Sequence, residues 1–163
     1  MSYTLISEQV LGTASTVTFS SIPQTYTDLV LEFIGYGAGT NANESITCQI
    51  SGDTGTNYSY LYLRGDGASA GSATGANMII CYIGQIAANT TTSYSSIYTH
   101  FLSYTAGIYK TVLSHDSSPG VDVNIWANEW RSTAAITSIY VFDSNSSGLV
   151  LAAGTTLRLW GVK

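Results

Sequence analysis

Charge is what this sequence has least of. Its 163 residues include five Lys and Arg and ten Asp and Glu, a charged fraction of 9%, against about 25% in an ordinary globular domain. Five basic side chains and a formal net charge of −5 leave no Lys/Arg stripe, so a nucleic-acid surface is excluded. The two cysteines, Cys48 and Cys81, are too few for a disulfide framework. Each lies in an apolar run (SITCQI, MIICYI) and is expected as a buried, separate thiol. No run approaches the ~18 apolar residues of a membrane helix. MSYTLISEQ has neither the basic nor the apolar region of a signal peptide, so synthesis in a reducing cytoplasm is expected. Helix signals are missing too: apolar spacing of three and four nowhere persists beyond a turn.

Serine, threonine, asparagine and glycine supply the polarity that charge does not. Hydroxyls and amides allow close packing against a neighbour with little charge to desolvate. Twelve tyrosines point the same way, because Tyr offers a large amphipathic contact at low entropic cost. The composition is that of a protein expected to live in an assembly. At this length a single domain, 1–163, is expected.

The patterning is that of strands. In SIPQTYTDLVLEF, Pro23 marks a turn, after which Leu29, Leu31 and Phe33 alternate with Asp28, Val30 and Glu32, the period of a strand with one dry face. Further strands are expected at Tyr3–Val10, Thr16–Ser20, Ser45–Ile50, Tyr58–Leu63, Asn77–Ile83, Ile97–Tyr104, Tyr109–Ser114, Asp122–Trp130, Ile136–Phe142 and Leu157–Val162. In Tyr58–Leu63 the leucines are expected inward and Tyr58, Tyr60 and Tyr62 on an outer aromatic strip. In Asp122–Trp130 either Val123, Ile125 and Ala127 or Trp126 face inward. Gly65–Ala76 (GDGASAGSATGA) is expected as a mobile exposed loop. Short strands with Gly/Ser/Asn punctuation give an all-β, antiparallel β-sandwich, with a jelly roll as the expected form.

No residue announces a reaction. The loop Gly35–Asn41 lacks the Lys and helix of a phosphate cradle. Arg64-Gly65-Asp66 spells a recognition tripeptide but reads as turn chemistry. Ser114-His115-Asp116 contains three triad residue types, yet neighbours on a strand face opposite ways. His100, His115 and the two cysteines lack metal-ligand spacing. Asp53, Asp66, Asp116 and Asp122 would hold Ca²⁺ only by converging, and are read as solvated loop carboxylates. The sequons at Asn43, Asn57, Asn89 and Asn145 are read as chance products of composition. No catalytic residue, cofactor or metal is therefore expected. The candidate interface is aromatic: Tyr58, Tyr60, Tyr62, Trp126, Trp130 and Trp160. The tryptophans could stack a sugar ring, though core or subunit packing is the commoner use.

Five segments in order, SIPQTYTDLVLEF, GDTGTNYSY, YKTVLS, WRSTAAITSI and AAGTTLRLWGV, resemble a family of small structural proteins of tailed bacteriophages, cyanophages among them. The resemblance spans nearly the whole chain. It implies a non-enzymatic virion component with a β-sandwich or jelly-roll fold, made in the host cytoplasm. The expectation is a capsid decoration (cement) protein on the outer capsid surface. It would bridge major capsid protein subunits as a homo-oligomer, with a trimer at a local three-fold favoured, and would contact neither nucleic acid nor membrane. The alternative is a tail-fibre or receptor-binding module for host-surface carbohydrate.

Overall fold

The computed structural model describes residues 1–39, 43–87, 94–145 and 150–163. They form twelve strands: β1 (Tyr3–Val10), β2 (Val17–Phe19), β3 (Asp28–Gly35), β4 (Asn43–Ile50), β5 (Tyr58–Gly65), β6 (Ala70–Met78), β7 (Cys81–Ala87), β8 (Ser95–Phe101), β9 (Lys110–Ser118), β10 (Asp122–Trp130), β11 (Ile139–Asp143) and β12 (Thr156–Val162). All pair antiparallel, into an eight-stranded sheet β1-β12-β3-β8-β9-β10-β5-β6 and a four-stranded sheet β2-β11-β4-β7. The chain is thus the antiparallel β-sandwich that its alternating runs predict.

The pairing is nested. β1 pairs with β12, β2 with β11, β3 with β8 and β4 with β7. The hairpins β5–β6 and β9–β10 stand outside this nest and widen the large sheet beyond β8. The core lies between the sheets. Leu29, Leu31 and Phe33 of β3 point into it as expected, with Leu157 and Leu159 of β12, against Ile46, Cys48 and Ile50 of β4 and Ile139 and Val141 of β11. Burying each such side chain is worth about 1.5–3 kcal/mol, which fixes the register of these strands.

Two expectations are overturned in the hairpins. In β5 the alternation is as predicted but the faces are exchanged: Tyr58 is in the core, Tyr60 and Tyr62 are half-buried on the inner face, and Leu61 and Leu63 are exposed. Tyr58 can go inside because its hydroxyl donates to Asp53 O (2.9 Å) and accepts from Ile50 N (3.0 Å), which removes the cost of burying it. The expected mobile loop Gly65–Ala76 is instead largely strand β6, since the backbone of β5 pairs it from Ala70 to Met78 whatever its side chains. Asp66 closes the turn, accepting from Ala68 N, Ser69 N and the Ser69 hydroxyl, and Gly67 supplies the left-handed φ of +84°. The expected strand Asn77–Ile83 is divided between β6 and β7, with Asn77 at φ +57°. Lys110–Ser118 runs further than its apolar part, because β10 pairs it along its whole length.

Candidate functional site

The large sheet presents two chemically different faces. On its inner face β10 places Asn124, Trp126, Asn128 and Trp130, beside Arg64, Tyr62, Tyr60 and Tyr58 of β5 and Asp116, Ser114, Val112 and Lys110 of β9. The open question for β10 is therefore settled: Trp126 points inward, and Val123, Ile125 and Ala127 point outward. Trp126 is 2% exposed, stacked on Tyr62 with centroids 4.5 Å apart and near-parallel to Tyr82 of β7 at 5.9 Å. Tyr60 meets Tyr82 edge-on at 5.1 Å. Trp130 sits with Tyr58 in the core and donates its indole N–H to Asp53 Oδ2 at 2.7 Å. Burial raises the Asp53 carboxyl, but the Trp130 indole, the Asn57 amide and the Gly55 N–H together outweigh it and hold the group below its usual range.

The polar residues behind these rings have a structural task. β7 is an edge of the small sheet, and an edge strand leaves backbone groups unpaired. Here side chains of the facing sheet satisfy them. Ser114 Oγ donates to Ile83 O, Asp116 Oδ2 accepts from Gln85 N at 3.1 Å, and Ser95 Oγ accepts from Ala87 N at 3.0 Å. Asp116 also accepts from Asn124 Nδ2 (2.8 Å) and Trp126 Nε1 (2.7 Å). Burial pushes its carboxyl up to about 6 against the pull of these donors. Lys110, wholly buried, donates to the carbonyls of Ala106 and Ile108 at 2.6 Å, with its ammonium 5.9 Å from the Trp130 ring.

The remaining sequence candidates are dispersed. Ser114 and Asp116 face inward while His115 lies outside, stacked on Tyr98 at 5.7 Å, so the three form no relay. Asp66 and Asp122 both pair with Arg64, at 3.5 and 3.2 Å, beside a shallow hollow of about 280 Å³ between the β5–β6 and β9–β10 turns. Asp116 and Asp122 are buried, which corrects their reading as solvated loop carboxylates. Among the described residues no three His, Cys, Asp or Glu are placed to hold a metal ion. Cys48 and Cys81 are buried and free, as expected, and stand opposite one another across β4 and β7. Thr40, Asn41 and Asn89 lie outside the described residues.

The outer face of the large sheet is where apolar side chains meet solvent. One row across the strands reads Leu5, Trp160, Val30, His100, Leu113, Ala127, Leu61. The next reads Glu8, Arg158, Glu32, Tyr98, His115, Ile125, Leu63. Ile125 is 60% and Leu63 58% exposed, with Leu61, Leu113 and Val123 also open. Arg158 pairs with Glu8 and, at 3.2 Å, with Glu32, so the charges present neutralise one another. Trp160 is half-buried beside Tyr3 and Tyr98 over a hollow of about 200 Å³. Of the six aromatics singled out from sequence, only Trp160 belongs to this face. Its leucines were missed because alternation identifies two faces without saying which one is dry. Neither a protein-family model nor a curated protein matches the sequence.

Proposed function

We propose that this protein is a non-enzymatic virion structural protein, a decoration (cement) protein that docks on the outside of a phage shell through the outer face of its eight-stranded sheet. The exposed apolar face carries this reading. Seven strands at about 4.8 Å, by three alternate residues at about 7 Å, make a patch of roughly 34 by 20 Å. The whole face is thus close to the ~800 Å² each partner contributes to a standard interface. Its exposed apolar side chains, Leu61, Leu63, Leu113, Val123 and Ile125, gather over β5, β9 and β10, beside the neutralised Glu8, Arg158 and Glu32. The scarcity of charge and the resemblance to phage structural proteins support the same reading, as does the nested pairing β1/β12, β2/β11, β3/β8, β4/β7, which is the order a jelly roll requires. The partner proposed is the major capsid protein, met by a homo-oligomer, with a trimer at a local three-fold as the first arrangement to look for.

Cryo-electron microscopy of the virion tests this. Density for the chain over the shell, large sheet inward, is the expected result, and density on the tail alone would overturn it. The carbohydrate-binding alternative draws less support, because Trp126 is stacked between tyrosines and offers no free ring face. Trp160 is what remains for a sugar, and a glycan array with Trp160→Ala would report it.

A further inference from the structure

Three of the four sheet edges are protected, each by a different device. β1 has a register shift between Leu5 and Ser7 and carries Glu8 in its ion pair with Arg158. β2 is three residues long. β7 has its outward backbone groups taken by Ser95, Ser114 and Asp116. Bulges, charge, shortness and covering are the usual guards against strand addition. The fourth edge, β6, has a register shift only at its C-terminal end, where Tyr58 pairs with Met78 but Tyr60 with Gly75. From Ala70 to Gly75 it carries none of these guards among the described residues. It is nine residues long, almost wholly exposed, and AGSATGANM contains neither a charge nor a proline.

We propose that β6 is a self-association edge, pairing antiparallel with β6 of a second copy about a two-fold axis at Ala73. The sequence specifies this register. With residue numbers summing to 146, Gly71 meets Gly75, Ser72 meets Thr74 and Ala73 meets itself, and Ala70 meets Ala76 where the register shift of β6 begins. Small residues thus face small residues and a hydroxyl faces a hydroxyl, each contact made twice about the axis as in any isologous interface. Ser72 and Thr74 fall on the outer face with Leu63 and Leu61, where cross-strand hydroxyls hydrogen-bond well. Gly71, Ala73 and Gly75 fall on the inner face. There Tyr60 already lies over Gly75, close enough that a Cβ would sit 2.5 Å from its ring, so only a small residue could stand opposite. The segment bears no charge, and two copies meet there without like-charge repulsion. Seven residues make an edge about 24 Å long in a sheet ~10 Å thick, well under the ~800 Å² per partner of a stable interface. The pairing is therefore weak in dilute solution and gains strength when copies are held together on a common surface. It would make the two apolar outer faces continuous. It is also independent of whether that surface is a viral shell, and of any three-fold contact.

The test is sedimentation over a concentration series, with disulfide trapping. Dimerisation that strengthens with concentration, and is abolished by Ser72→Lys with Thr74→Lys at unchanged melting temperature, is expected. Ala73→Cys should trap a covalent dimer under mild oxidation, because the axis brings the two Cα atoms within disulfide reach, whereas Leu63→Cys should not. A monomer at every concentration without trapping overturns the proposal. So does an oligomer insensitive to the lysines, or a β6 edge that accepts only a strand of another protein.

Discussion

The indole N–H of Trp126 donates to Asp116 Oδ2 at 2.7 Å, joining an aromatic and a carboxylate ten positions apart into one buried pair on neighbouring strands. Burial raises this carboxyl to about 6 from 3.8. The folded protein therefore holds the Asp116 proton more tightly than the unfolded chain does. That contribution to stability is complete below about pH 4 and is lost as pH rises to about 6, by roughly 3 kcal/mol. Melting temperature should fall between pH 4 and 6 and level off above. Asp116→Asn should flatten that slope at little cost, because the Asn124 amide can flip its unpartnered Oδ1 toward the new NH₂ group. Asp116→Ala should cost several kcal/mol, leaving the three donors orphaned at about 1–3 kcal/mol each.

The outer face admits a fold-neutral disruption. Leu63 and Ile125 are direct cross-strand partners, so Leu63→Glu with Ile125→Lys replaces an exposed apolar pair by an opposite-charge pair that the sheet accepts. Thermal stability should stay within about 0.5 kcal/mol, as for ordinary surface changes, while co-sedimentation with shells is lost. Wild-type binding should persist in 1 M NaCl, where the Debye length of about 3 Å has removed exposed ion-pair contributions. Release at moderate salt would show that charges on the face dominate instead.

Cys48 and Cys81 are opposite one another and free, and hydrogen bonding to Cys81 together with burial pushes the Cys48 thiol up. A thiol with little thiolate and no access is inert. Neither should react with an alkylating reagent in the native protein, both should react in denaturant, and a reducing agent should leave the melting temperature unchanged. A drop of several degrees on reduction would reveal a bridge.

Lys110 is a structural cation. Its ammonium binds the Ala106 and Ile108 carbonyls of the loop between β8 and β9, and a hydrogen bond to a charged donor is worth about 1.5–3 kcal/mol. Lys110→Met keeps the packing over Trp130 but removes those donors. It should destabilise by about 2–4 kcal/mol on that basis, with amide exchange in residues 102–109 rising before the rest of the sheet.

How far the sequence discloses this molecule varies strand by strand, for physical reasons. β3 is legible because its two alternating sets differ in polarity, so only one can be dry. β5 and β10 alternate as plainly, but both sets can be buried: leucine needs nothing, whereas Tyr58 and Trp126 need partners that other strands supply. β6 was unreadable because its side chains carry no strand preference and the backbone of β5 alone holds it. The role of Asp116 was hidden for a related reason. Its partners Gln85, Asn124 and Trp126 lie on β7 and β10, and nothing local to Ser114-His115-Asp116 announces them.

The nested pairing also governs when the protein can fold. β3 sits between β8 and β12, so its Leu31 is matched on one side by Thr99 and on the other by Leu159. Such non-local pairing gives a high contact order and slow folding, because loop closure must come before the contacts that reward it. During synthesis the central strand waits, one flank open, until residues near 160 have left the ribosome. Through that interval the nascent chain presents two unpaired strand edges, the apolar β3 and the more polar β1, both awaiting the same late strand. A chaperone that recognises extended apolar segments would find its binding site there, and would lose it when β12 inserts.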